Sequence, residues 1–167
     1  MRPVQAWARK NRVEFFLPFI RAGDHVLEIG SGEGWFRSAV EQAVAVSYVT
    51  IDIDAPADIR GDIRHWRELG LAPKSFDVIV AFEVVEHVDC VQECRDLLKV
   101  GGRLLITTPM PHADSLLKIL EALRLTQKRT SEHSNLFYLD NVSGFAPEKT
   151  RNPFGLGQWG VFRKLPI

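Results

Sequence analysis

The chain has 167 residues, 46% of them hydrophobic and 25% charged, with a formal net charge of zero. That length suits one domain with a substantial core, and no apolar stretch approaches the roughly 20 residues that cross a bilayer. Zero net charge argues against bulk electrostatic binding to nucleic acid, and the basic opening MRPVQAWARKNRVEFF lacks an apolar signal core, so a cytoplasmic protein is expected.

In chain order, Val4, Trp7, Val13, Phe16, Leu17 and Ile20 fall at loosely helical spacing and predict a first amphipathic helix over 4–20 that stops near Pro18. HVLEIG (25–30) is a short aliphatic run ending at glycine and predicts a first buried strand. WFRSAVEQAV (35–44) predicts a helix, SYVTIDID (47–54) a second strand, and DIRGDI (58–63) a third short extended piece. FDVIVAFEVV (76–85), with Asp77 at its mouth, is the most apolar run of the centre and predicts a fourth strand. DCVQECRDLLKVGG (89–102) has helical periodicity, with Gly101 and Gly102 read as its C-cap. RLLITTP (103–109) predicts a fifth strand and ADSLLKILEALRL (113–125) a further helix. Residues 126–157 are polar and rich in Asn, Ser, Gly and Pro, and QWGVFRK (158–164) reads as a closing strand. Cys90 and Cys94, four apart, are expected to pack on one helix face in a reducing compartment, neither disulfide-bonded nor metal-bound.

Strands and helices alternate from 26 to 125. That order predicts right-handed βαβ units in an open, doubly wound, mostly parallel α/β sheet, with an N-terminal helix and an antiparallel C-terminal strand. One domain over 1–167 is expected, with a helical cap over 1–22, a ligand-binding core over 23–110 and an acceptor-side segment with closing strands over 111–167.

In such a sheet, ligands bind beyond the carboxyl ends of the strands, where VLEIGSGEGWF (26–36) places Gly30, Gly32 and Gly34. A dinucleotide loop has the spacing G-x-G-x-x-G against a pyrophosphate. Here the spacing is G-x-G-x-G and Glu28 and Glu33 flank it; carboxylates repel a phosphate and attract a cation. Asp52 and Asp54 follow at the end of the second strand, where an acid accepts from ribose hydroxyls, and GDI (61–63) adds a carboxylate at the end of the third. A cationic nucleoside without phosphates, S-adenosylmethionine, fits this set.

VLEIGSGEG, IDID, GDI, FDVIVAFEVVEHV and LLKVGGRLLITTP, in this order, resemble the motifs of class I S-adenosylmethionine-dependent methyltransferases over residues 13–110. The resemblance implies a Rossmann-like methyltransferase fold, S-adenosyl-L-methionine as cofactor and S-adenosyl-L-homocysteine as product. It implies that Glu28, Gly30 and Gly32, within the loop closed by Gly34, hold the methionine end, that Asp52 holds the ribose, that Asp62 and Ile63 hold the adenine, and that Glu83 lines the site near the methyl group. The link between second and third strands is shorter than a full helix, which leaves Asp52 against Asp54 and Asp58 against Asp62 open, with Asp52 and Asp62 favoured. The small, trimmed chain has no inserted cap and suits a large or tethered acceptor.

The expected reaction is in-line displacement at the sulfonium methyl by an O, N or C nucleophile, with positioning and desolvation as the protein's share. Catalytic candidates are His112, His133 and His87, the last also readable as a hydrogen-bonded turn histidine. Glu86 reads equally as a solvated acid at a helix start. His112, Glu132 and His133 lack tight ligand spacing, so no metal is expected. Trp35, Trp66 and Trp159 read as packing. The rival readings are a catalytically silent S-adenosylmethionine-binding protein acting through a partner, and a nicotinamide-dependent dehydrogenase or an aminopropyl transferase.

Charge is unevenly spread: residues 1–22 carry five basic and one acidic side chain, 23–100 seven and fifteen, and 101–167 nine and five. Arg9, Lys10, Arg12, Lys118, Arg124, Lys128 and Arg129 could thus rim the mouth and draw in an anionic acceptor, or simply be solvated. The partner expected is a methyl acceptor, anionic or glycan-like, with the protein a monomer or homodimer.

Overall fold

The computed structural model describes residues 3–54, 56–110, 139 and 142–166. The chain runs α1 (Pro3–Phe16), β1 (His25–Ile29), α2 (Trp35–Ala43), β2 (Ser47–Asp52), β3 (Ile59–Arg60), β4 (Phe76–Phe82), α3 (Val91–Leu97), β5 (Leu98–Pro109), β6 (Phe145–Arg151) and β7 (Gly157–Lys164). Its strands form one seven-stranded sheet in the order β3-β2-β1-β4-β5-β7-β6. β1 to β5 are parallel, whereas β7 is antiparallel to both β5 and β6.

β1 and β4 sit at the centre and are covered on both faces, which is why they read as nearly unbroken apolar runs. On one face Val26, Val78, Val80, Leu105 and Val161 pack against Phe15, Phe16 and Ile20 of α1 and its extension and Phe36 and Val40 of α2. On the other, Leu27, Ile79, Ala81, Leu104 and Ile106 pack with Trp66, Cys90, Cys94 and Leu97. Both cysteines are free and buried. α1 begins at Pro3, whose missing N–H costs nothing in a first turn. After α1, Pro18 sits within a short 3-10 turn, Leu17–Phe19, that ends the helical segment.

Two sequence expectations change. The helix expected over 89–102 ends at Leu97; Leu98 already pairs with Phe76, and Gly101 and Gly102 lie inside β5. The ladder shifts register between Phe76 and Val78, and Gly101 takes φ 76° at this irregularity, so the glycines serve a bulge rather than a helix cap. The polar stretch 126–157 contains a strand, β6, which the sequence hides because it is an edge strand with Pro147 and three charged residues. The expected helix 113–125 lies outside the described residues.

Phe16 is fully buried against Phe15, Phe82 and Trp159. Phe16→Ala is expected to cost about 3–5 kcal/mol of unfolding free energy, measured by urea denaturation.

Candidate functional site

β1, β2 and β4 all deliver their carboxyl ends to one edge of the sheet, and β1 breaks there into the glycine loop. Gly30, Gly32 and Gly34 take φ of 71°, 52° and 68°, a region that L side chains rarely adopt. A Cβ on Gly30 would lie 2.6 Å from Val84 Cγ2, so the loop and the turn after β4 approach too closely for any side chain. The loop is fastened to β2 twice: the Gly30 amide donates to the Ile51 carbonyl at 2.8 Å, and the Gly32 amide to Asp52 Oδ2 at 3.1 Å. Asp52 Oδ1 also accepts from the Asp54 amide at 3.0 Å.

A cavity of about 230 Å³ opens beside this loop, lined among others by Gly30, Asp52, Asp54, Asp62, Ile63 and Glu83. Asp58 is elsewhere, accepting from the Thr50 amide and hydroxyl, both at 2.9 Å, and from Arg37 at 2.7 Å. Asp62 starts the short turn Ile63–His65 and accepts from the Arg64 amide at 2.9 Å; the Arg64 side chain holds its carboxyl below the usual range. His87 lines the same cavity. His112, His133, Glu132, Lys118, Arg124, Lys128 and Arg129 lie outside the described residues.

Glu83 follows β4 with φ 56°, a strained value for a residue other than glycine. Its Oε1 accepts from the Thr107 hydroxyl at 2.8 Å and from Arg12 at 2.6 Å, tying β4, β5 and α1 together at the cavity's rim. Arg9 reaches Glu33 in the glycine loop at 2.6 Å.

Glu28 is 3% exposed and is not among the residues lining the cavity. Tyr48 donates to it at 3.0 Å; burial pushes its carboxyl up to about 7, against the opposing effect of that bond. The negative potential of the site therefore comes from Asp52, Asp54, Asp62 and Glu83 more than from the acids flanking the loop. Glu86, for which a solvated acid is one of two equal readings of the sequence, is 1% exposed; burial first, then the charge of Glu83, raises it to about 8. Its Oε2 and the Thr108 hydroxyl are buried without hydrogen-bond partners. The tryptophans pack as expected: Trp66 and Trp159 are buried, and Trp35 stacks on Phe82 at 6.1 Å.

Sequence reasoning missed Tyr48 and Thr107 as parts of this edge, and read Arg12 as a charge at the mouth without its pairing to Glu83. Arg12 and Glu83 are 71 positions apart, and no local pattern couples them. Tyr48 did leave a signal: with Thr50 and Asp52 it puts polar groups at alternate positions on the β2 face turned toward α2.

A family model described as a methyltransferase domain matches residues 5–144. A Mycolicibacterium smegmatis protein, named a probable S-adenosylmethionine-dependent methyltransferase, is 32% identical over 89% of this chain. A ubiquinone biosynthesis O-methyltransferase of Ralstonia nicotianae is 28% identical over 75% of it. The chain spans 62% and 61% of the lengths of these two curated relatives. Among solved structures, a Pyrococcus horikoshii OT3 protein superposes with TM-score 0.69 at 17% identity, covering 95% of this chain and 91% of that one. Magnesium protoporphyrin IX methyltransferase from Synechocystis PCC 6803 gives 0.64 at 15% identity, covering 98% and 88%. At such identities the likeness is one of fold.

A buried carboxyl whose folded pKa lies above its ordinary 4.5 holds more protons folded than unfolded between the two values. Glu28 therefore costs stability as pH rises from about 4.5 to about 7, and the loss is complete above that window. Glu28→Gln, which keeps an oxygen for the Tyr48 hydroxyl, should gain about 1–3 kcal/mol over wild type at pH 8 and little at pH 4.5, read by urea denaturation.

Proposed function

The chain belongs to the family of methyltransferase domains, and on that premise we propose that it binds S-adenosylmethionine at the carboxyl edge of the sheet and transfers its methyl group to an acceptor. The observation that carries this reading is one cavity lined together by Gly30, Asp52, Asp62, Ile63 and Glu83, five residues spread over about a third of the chain. The residues fit a cationic nucleoside: a glycine that admits no Cβ on one side, several carboxylates around the opening, and an apolar wall of Ile29, Ile51, Ile63 and Val88 for a base. When bound, the cofactor supplies an activated methyl on a sulfonium, and the thioether is the leaving group.

The protein's share is orientation and exclusion of water. Asp52 accepts from the ribose hydroxyls, its carboxylate already set by the Gly32 and Asp54 amides. Asp62 and Ile63 meet the adenine edge and face. Gly30, Gly32 and Gly34 let the backbone follow the methionine end, while Glu28 works from beneath by fixing the end of β1 on Tyr48. Glu83, pinned by Thr107 and Arg12, sits at the methyl end. His87 is the proton acceptor available among the described residues for a hydroxyl acceptor, and an amine acceptor needs none. His112 and His133 remain candidates for that step. The free, buried Cys90 and Cys94 fit a protein working in the cytoplasm.

Calorimetry with S-adenosylmethionine, S-adenosylhomocysteine and NAD tests the reading. Both sulfur nucleosides should bind and NAD should not; the reverse pattern sinks it. Turnover assayed across acceptor classes by release of S-adenosylhomocysteine separates the enzyme from a silent binding protein.

Asp52→Ala should weaken cofactor binding by about 1.5–3 kcal/mol, the loss of hydrogen bonds to a charged acceptor. Asp58→Ala should chiefly lower stability, because Asp58 bonds Thr50 and Arg37, and should weaken cofactor binding far less than Asp52→Ala does. Loss of cofactor binding in the second variant and not the first would reverse the assignment.

A further inference from the structure

Trp7 of α1 and Phe154 of the β6–β7 turn are 46% and 77% exposed, yet their rings touch, with centroids 5.3 Å apart. Phe154 also takes φ 54°. A bulky side chain in that region is strained, and at this exposure core packing gives no return for the strain. The turn Asn152–Leu156 holds the residue at the sheet's ligand edge, where the Met110 amide donates to the Leu156 carbonyl at 2.9 Å.

Two cations stand beside this pair. Lys149 and Arg151 share one face of β6, both exposed, and neither meets a carboxylate among the described residues. Their contacts are to rings: Lys149 Nζ lies 4.7 Å from the Phe15 centroid and 5.6 Å from that of Phe19, and Arg151 lies 5.6 Å from that of Trp159. The neighbouring basic residues of α1 are already neutralised, Arg9 by Glu33, Lys10 by Glu14 and Arg12 by Glu83. What is left over on this face, among the described residues, is two positive charges without a carboxylate partner and two exposed aromatic rings.

We propose that α1 and the β6–β7 hairpin form a docking face for an anionic lipid surface, with Trp7 and Phe154 at headgroup depth and Lys149 and Arg151 against lipid phosphates. Charge complementarity selects this occupant. Aromatic rings with long cationic side chains beside them suit a boundary that is apolar on one side and anionic at the rim. Docked this way, the protein presents its ligand edge to the bilayer, so an acceptor held in or on the lipid meets the site without first dissolving in water. The face itself does not depend on the methyl-transfer reading.

The test is co-sedimentation of the full chain with vesicles of pure phosphatidylglycerol and of pure phosphatidylcholine, at low and at physiological salt. Binding to the anionic vesicles, weakening with salt and near absent on the neutral ones, is the expected result. Each cation removed should lower partitioning about fivefold, and Lys149→Glu with Arg151→Glu by more than both removals together. Phe154→Gly relieves the backbone strain, so it should fold at least as well as wild type and still bind less. Brominated lipid should quench Trp fluorescence in wild type and less in Trp7→Ser. S-adenosylmethionine affinity, read by calorimetry in the same variants, should not move, so a failed vesicle test and a failed cofactor test are separate outcomes. No binding, equal binding to both lipids, indifference to the charge reversals, or capture by polyglutamate in preference to phosphatidylglycerol overturns the proposal.

Discussion

The hydrogen bond from the Gly32 amide to Asp52 ties the loop after β1 to the end of β2, and the ligand edge is organised around it. Only residues free to take positive φ can turn that amide toward the carboxylate while the loop passes within van der Waals distance of Val84. The acid is thereby oriented before any ligand arrives. Preorganisation of this kind lowers the cost of binding, because the ordering has been done by folding. The same bond explains why a sequence can place an acid some twenty positions from a glycine and still specify one site.

A second set of contacts closes the edge from above. Arg9 and Arg12 reach the glycine loop and the end of β4 from one helix, three positions apart and thus on one side of it. Exposed ion pairs of this sort contribute about 0–1 kcal/mol each, so they do not hold α1 in place. Burial of Phe15, Phe16 and Ile20 does that. The arginines decide which way the docked helix faces, and the strained Glu83 is where that choice meets the cavity.

What could be read from the sequence followed from how each element is buried. β1 and β4 announce themselves because a strand covered on both faces reads as a nearly unbroken apolar run, and the glycines and acids after β1, β2 and β4 fall at fixed positions relative to those strands. β6 could not be read, since an edge strand with charged residues on both faces looks like a loop: Glu148 is held by Arg103 and Arg163 on one side while Lys149 covers aromatic rings on the other. The raised pKa of Glu28 and the burial of Glu86 were equally invisible. Both depend on what other elements place over them, and a carboxyl in sequence carries no mark of its solvent. Asp62 against Asp58 was an open choice of register; in the structure Asp62 lines the cavity, while Asp58 is engaged by Thr50 and Arg37.

The short link between β2 and β3 leaves its mark on how the protein moves. β3 joins the sheet through two residue pairs, and in place of a packed helix its corner is secured by the Arg37, Asp58 and Thr50 bonds at the surface. With only two ladder pairs holding β3, its edge can open below the free energy of global unfolding. Amide protons around Ile59 to Ile63 should then exchange through this local excursion while those of β1 and β4 wait for the whole domain. On the proposed reading, a nucleoside laid across Asp52 and Asp62 would bridge the firm strand to the loose one. The binding edge is thus also the seam along which the sheet frays, and occupancy of the site and the cohesion of that corner become one equilibrium.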